Sequence, residues 1–270
     1  MTTVRTMHMA ELVRAVRTFA ASFRLQCLMM RRSPGDLAVL VTAPFFSLMF
    51  LSMTEQADRS ALAPYAVAAP VLIAVWSMSL FVAGDLISKE RGNGTLEGLV
   101  ATPASLSVMV LGRICAAVTL SVFAFVETWL VAWLCFGVVV RLPHPLALLA
   151  TLATTLLAMA GTATMMAAVF VLARSARIFQ NTLSYPVYLL AGVLVPVSFL
   201  PGWLRPFTRV VFLSWCAGLL RDSLARPDIP DLPGRLTAVL VLGAAGFGAG
   251  RLLMRRVLWR VRVLGTLGQA

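Results

Sequence analysis

Lys89-Glu90-Arg91-Gly92-Asn93-Gly94-Thr95-Leu96-Glu97-Gly98-Leu99-Val100-Ala101-Thr102-Pro103-Ala104-Ser105 is the longest polar, charged interruption in the first half of an otherwise largely apolar chain. An acidic–basic pair leads into two glycines and then a threonine able to cap a helix. A short helix is expected over 93–104, with Leu96, Leu99 and Val100 on one side. Thr95 or Asn93 accepts its first orphan amide, Glu97 suits the positive end of the dipole, and Pro103 disfavours helical backbone at Thr102. By itself the stretch is either an ordinary polar loop or a rigid handle held out between two apolar segments. Its context has to decide.

The chain has 270 residues, 60% of them hydrophobic and only 13% charged, against about a quarter charged in a soluble domain. This composition predicts an all-α polytopic membrane protein and sets aside a soluble enzyme. The formal net charge of +12 fits nucleic-acid binding, an anionic surface or membrane topology. Because the arginines flank apolar runs instead of forming a basic domain, topology is the reading, and no nucleic-acid partner is expected. Cys27, Cys115, Cys135 and Cys216 show no CxxC spacing and read as small core residues, not ligands or a disulfide frame. No metal site is expected.

Residues 10–32 are amphipathic. At about 100° per residue, Leu12, Val16, Phe19, Phe23, Cys27 and Met30 fall on one face and Arg14, Arg17, Arg24 and Arg32 on the other. Such a helix lies in the headgroup layer among membrane lipids; the alternative is a soluble helix packed on a partner domain. Six hydrophobic segments follow, over 37–54, 62–84, 108–136, 146–173, 182–200 and 236–254. Each is near or above the roughly 20 residues that cross a bilayer core. Val210 to Leu220, between Arg209 and Arg221, is too short to span and suits a re-entrant or interfacial piece within 201–226.

The positive-inside rule fixes the count. Six spans with an internal N-terminus keep most of the 23 basic residues in the cytosol, including Lys89, Arg91, Arg113, Arg174, Arg177 and the C-terminal arginines. A seventh span would put Arg251, Arg255, Arg256, Arg260 and Arg262 outside, against that rule. Both termini are therefore expected in the cytosol, with Glu55, His144 and Asp228 external.

With the opening stretch placed in the cytosol, the pattern Glu-Arg-x-x-Gly-Thr-Leu-Glu-x-Leu-x-x-Thr-Pro over Glu90 to Pro103 becomes specific. Together with the amphipathic N-terminal helix, the six spans and the apolar hairpin before the last one, the chain resembles the membrane subunit of type-2 ATP-binding-cassette (ABC) exporters, the class containing daunorubicin-resistance-type permeases. Leu200-Pro201-Gly202-Trp203-Leu204 is a weaker second mark. The resemblance implies that 93–104 is a coupling helix seated in a groove of a separate cytosolic ATPase. Glu90, Arg91, Gly94, Thr95, Leu96, Glu97, Leu99, Thr102 and Pro103 would carry that contact. It also implies that 201–226 forms an extracellular re-entrant helical hairpin, and that the first and fifth spans meet a second permease subunit, identical or related. The chain holds no GxxxxGK[ST] phosphate loop, so ATP and magnesium would bind the partner ATPase and no cofactor is expected here.

Two other classes fit less well. A membrane hydrolase needs HExxH, paired intramembrane aspartates or a serine with a histidine; His8 and His144 lie in polar flanks, and no HExxH or DDxxD occurs. An ion-coupled secondary transporter needs ionisable residues at mid-membrane and broken helices in repeated positions. Only Glu127 is such a charge, and no internal repeat is visible. Glu127 is either a substrate or gating contact or a hydrogen-bonded structural group. Tyr185 and Tyr188, astride Pro186, either line a substrate pathway or anchor an interface. An exported drug, antibiotic or lipid suits such an apolar pathway.

Overall fold

A computed structural model describes residues 2–32, 38–56, 63–92, 94, 106–137, 142–172, 176–225 and 228–264. These residues are helical apart from short turns, with no strand among them. In chain order the helices are α1 (Thr2–Arg32), α2 (Ala38–Gln56), α3 (Ala63–Gly92), α4 (Leu106–Ser121), α5 (Phe123–Phe136), α6 (Pro145–Leu172) and α7 (Ala176–Leu190). A 3₁₀ turn (Val197–Phe199), α8 (Arg205–Thr208), α9 (Phe212–Ala225) and α10 (Leu232–Leu264) follow.

Helix α3 is the hub. It packs against α2, α4, α5, α6, α7 and α9, and 89% of its most apolar window is buried. A helix apolar on every side must be enclosed by others. Along it, Ala66, Ala68, Ala69, Ala74 and Ala83 are all buried, and their small side chains let neighbouring backbones approach. The closest partnership lies elsewhere, between α6 and α10. A Cβ at Gly161 would collide with the Gly243 carbonyl, and one at Gly243 with Ala158; one at Gly250 would stand 2.7 Å from the Met165 nitrogen. Gly243 and Gly250, two turns apart on α10, thus bring it against α6 at backbone contact.

Four described helical stretches are long and apolar enough to cross a membrane: Pro64–Leu86, Leu106–Phe136, Pro145–Phe170 and Leu232–Arg256. The expected spans over 62–84, 108–136, 146–173 and 236–254 fall on these. The stretch Leu106–Phe136 is divided, since α4 and α5 meet at Val122, where the Val122 amide bonds to Thr119 O and the Phe125 amide to Val122 O. These tighter i→i+3 bonds break the α-helical ladder for one turn. Gly137, in the left-handed region at φ 61°, closes α5 with its amide on Trp133 O at 3.2 Å.

The other two expected spans differ in length. Helix α2 has 19 residues with Pro44 inside, or about 28 Å. Helix α7 corrects the expected span over 182–200. It begins at Ala176, six residues before the expected start, and stops at Leu190 after 15 residues, about 22 Å. Gly192 adopts φ 68°, a conformation that ends a helix, and Pro196 precedes the 3₁₀ turn. Hydropathy continues through these residues while the helix does not.

Of the expected hairpin over 201–226, the described residues 201–225 hold a short helical pair, α8 and α9. Phe212, Leu213, Cys216, Ala217, Leu219 and Leu220 of α9 are buried against α3, α6 and α10. Helix α1 extends beyond the expected 10–32 and lies along α4. Its arginines 14, 17, 24 and 32 are exposed as expected, but the buried face is Ser22, Gln26 and Met30, while Leu12 and Val16 remain exposed. The packed face is therefore rotated from the expected apolar stripe. The reason lies on α4, where Arg113 needs a polar partner.

Candidate substrate cavity and coupling stretch

Helix α3 continues through Glu90 and Arg91 and ends at Gly92. Gly94 is an exposed turn residue at φ 67° with open space where a Cβ would stand, and α4 begins at Leu106. Thr95, Leu96, Glu97, Leu99, Thr102 and Pro103, with most of the expected helix over 93–104, lie outside the described residues.

The root of the stretch is a polar node joining four helices. Asp85 on α3 accepts Lys89 one turn later at 3.5 Å and faces Arg177 of α7 at 4.0 Å. From α4, the Arg113 Nε donates to Gln26 Oε1 on α1 at 2.9 Å. Gln26, Asp85, Lys89 and Arg113 together line a small hollow of about 20 Å³. Sequence reading singled out neither Asp85 nor Gln26. Asp85 carried a signal, since it stands four residues before Lys89 on one helix and such pairs meet. Gln26 carried none, because its partner is 87 residues away.

Higher along α3, two adjoining cavities of about 270 and 220 Å³ share Phe46, Ile73, Ser77 and Phe81. The first lies between α2 and α3, and the second reaches α7. Neither has a charged lining residue. The α7 wall is organised by its period. Gln180, Ser184 and Tyr188 stand four residues apart and so fall on one face. Each meets α3: Gln180 Nε2 donates to Leu80 O at 2.8 Å, Trp76 Nε1 donates to Ser184 Oγ at 3.1 Å, and the Tyr188 and Ser77 hydroxyls bond at 2.8 Å. Tyr188 also donates to Ile73 O at 3.4 Å, so from Gln180 to Tyr188 on α7 the partners on α3 run from Leu80 back to Ile73, as antiparallel neighbours require.

Of the expected pathway residues, Tyr185 and Tyr188 both line the 220 Å³ cavity. Tyr188 is buried with its ring edge-on to Trp76, and Tyr185 is 70% exposed. Glu127 lines neither cavity. It lies on α5 beside Thr128, whose hydroxyl bonds Ser47 of α2 at 2.9 Å, and its Oε2 is buried with no partner among the described residues. The structure thus brings the tyrosines together and leaves the carboxylate apart. Sequence reading missed Gln180 and Ser184; their i, i+4 spacing with Tyr188 was the available signal.

At the far end of α7 the chain is tied to α9. Arg221 donates to the Gly192 carbonyl and sits 4.2 Å above the Tyr65 ring of α3. Next to it Asp222 pairs with Arg235 of α10 at 2.6 Å. This network fixes the turn that follows α7, and Leu194 in that turn lines the cavity. Chemically, the site is an uncharged, aromatic-walled hollow between helices with a few fixed polar groups. That is an arrangement for holding an apolar molecule.

A family model described as "ABC-2 type transporter" matches residues 19–225, from Phe19 in α1 to the end of α9. No curated protein matches the chain.

Proposed function

Because the chain belongs to the ABC-2 type transporter membrane family, we propose that this permease subunit works in an ATP-driven exporter. It moves an amphipathic or hydrophobic substrate (drug, antibiotic or lipid) out of the cell, while a separate cytosolic ABC ATPase hydrolyses ATP. The observation that carries the reading is the family match over 19–225, which encloses the Glu90-to-Pro103 motif between α3 and α4. The sequence has no phosphate loop, so the motor belongs to a partner. Daunorubicin-resistance-type permeases are the subtype proposed, on the same motif.

In this reading 93–104 is the coupling helix, and the polar node of Gln26, Asp85, Lys89 and Arg113 is its footing. Helix α2, and helix α7 together with the apolar residues 191–200 that follow it, supply the two remaining crossings, giving six. Both termini then lie in the cytosol, and the α8–α9 pair is the external re-entrant hairpin. The cavities beside Tyr185 and Tyr188 belong to the substrate pathway, and a second permease subunit, identical or related, completes it.

The test is transport in inverted membrane vesicles with the chain and its ATPase co-expressed. Substrate accumulation driven by ATP and insensitive to collapse of the proton gradient supports the reading. Accumulation driven by a proton gradient without ATP would favour an ion-coupled transporter instead.

A further inference from the structure

Among the buried polar groups around the 220 Å³ cavity, one is left over. Tyr188 and Ser77 satisfy each other, and Ser184 Oγ accepts from Trp76 while donating to Gln180 O at 2.7 Å. Gln180 is only 2% exposed, lines the cavity, and spends Nε2 on Leu80 O. Its Oε1 is buried with no partner among the described residues. Turning the amide over gives no relief, because an oxygen would then face the Leu80 carbonyl oxygen. A buried acceptor left unmet destabilises a fold, and native structures contain few.

We infer that the cavity takes a ligand with an apolar, ring-sized body and one hydrogen-bond donor, a hydroxyl or an amine, and that Gln180 Oε1 is the acceptor that selects it. Size supports the body: 220 Å³ exceeds the roughly 150 Å³ engineered cavity that holds benzene in another protein. The uncharged lining supports the single neutral contact, since it offers no counter-ion to a charged group. Phe46, Phe81, Tyr185 and Tyr188 offer the rings for stacking. The identification of this ligand as exported cargo rests on the proposed function; its recognition by Gln180 does not.

The experiment measures equilibrium binding of 2-naphthol and 2-methoxynaphthalene to the full chain in lipid nanodiscs, with empty nanodiscs subtracted. The two probes share an apolar body, and only the first donates a hydrogen bond. The wild-type protein is expected to bind 2-naphthol about tenfold more tightly, the effect of one hydrogen bond. Gln180→Met should make the two affinities equal without weakening the ether. Gln180→Glu keeps the preference, because a protonated carboxyl donates to Leu80 O and accepts at its other oxygen. The inference is overturned if the wild type binds neither probe or shows no preference, or if Gln180→Met retains it. ATP-driven flux is measured separately in vesicles with the ATPase. Gln180-dependent binding without flux removes only the cargo role, whereas flux with a preference indifferent to Gln180 removes only the recognition site.

Discussion

The Phe19 carbonyl of α1 lies 2.7 Å from where a Cβ on Gly112 of α4 would stand. The two helices therefore cross at backbone contact, one residue before Arg113 reaches Gln26 at 2.9 Å. Closeness and polar pairing come from adjacent positions on α4, so they act together.

Gly112→Val should prise α1 from α4, costing about 1–3 kcal/mol as overpacking does. Gln26→Leu should cost a similar amount by removing a partner of a guanidinium that is only 7% exposed. Arg24→Gln, on the exposed face, should stay within about 0.5 kcal/mol. Melting of the purified variants in one detergent checks all three. Equal melting temperatures for Gly112→Val and Arg24→Gln would contradict the crossing.

Tyr188→Phe removes the hydroxyl bonded to Ser77 and should cost about 1 kcal/mol of stability. Tyr185→Ala, at an exposed position, should cost less than about 0.5 kcal/mol while weakening binding of an aromatic probe to the cavity. Denaturation and probe titration on the same samples separate the two roles. A destabilised Tyr185→Ala with unchanged probe affinity would reverse them.

The parts of this fold that were legible in sequence are those set by composition over 20 or more residues. The helices of α3, α6 and α10 follow from unbroken apolar runs. The end of α7 did not, because residues 191–200 remain apolar while Gly192 turns into the left-handed region; hydropathy carries no backbone angle. The packed face of α1 was hidden for a related reason. An amphipathic stripe says which residues avoid water, not that Arg113 would draw Gln26 inward. At the cavity, Tyr185 and Tyr188 stood out as aromatics with polar tips. Gln180 did not, because it lies in a polar link by composition and is a buried wall residue by contact.

Gly243→Val should separate α6 from α10, since any side chain there meets the Ala158 backbone. A loss of about 1–3 kcal/mol is expected. Gly248→Ala, on the same helix with nothing within 4 Å of the added carbon, should be neutral or stabilise by up to about 1 kcal/mol through helix propensity. Thermal unfolding of the pair tests the contact. If both variants behave alike, α10 is not held by close approach.

The last prediction concerns coupling. A helix that transmits a nucleotide-driven movement needs a rigid body, an apolar face for the ATPase and a fixed footing. In the proposed reading Leu96 and Leu99 give the face, and truncating such buried anchors costs about 2 kcal/mol or more of interface energy. Thr95 is the proposed cap of that helix, and Thr95→Ala should cost about 1 kcal/mol locally. In the same proposed reading Glu97 pairs with a basic residue of the groove. In this reading the footing is Asp85, which lies between Lys89 and Arg177. Leu99→Asp and Glu97→Lys are therefore expected to leave the chain folded and inserted at normal levels, while capture of the cognate ATPase and substrate export collapse together. Asp85→Asn should act differently, keeping ATPase capture but lowering export, because it loosens the footing and leaves the contact face untouched. A passive surface loop predicts changes within about 0.5 kcal/mol and unaltered transport for all three. Pull-down of the ATPase and export by vesicles carrying equal amounts of each variant decide between them. Wild-type capture and export by both Leu99→Asp and Glu97→Lys would remove the coupling role from this stretch.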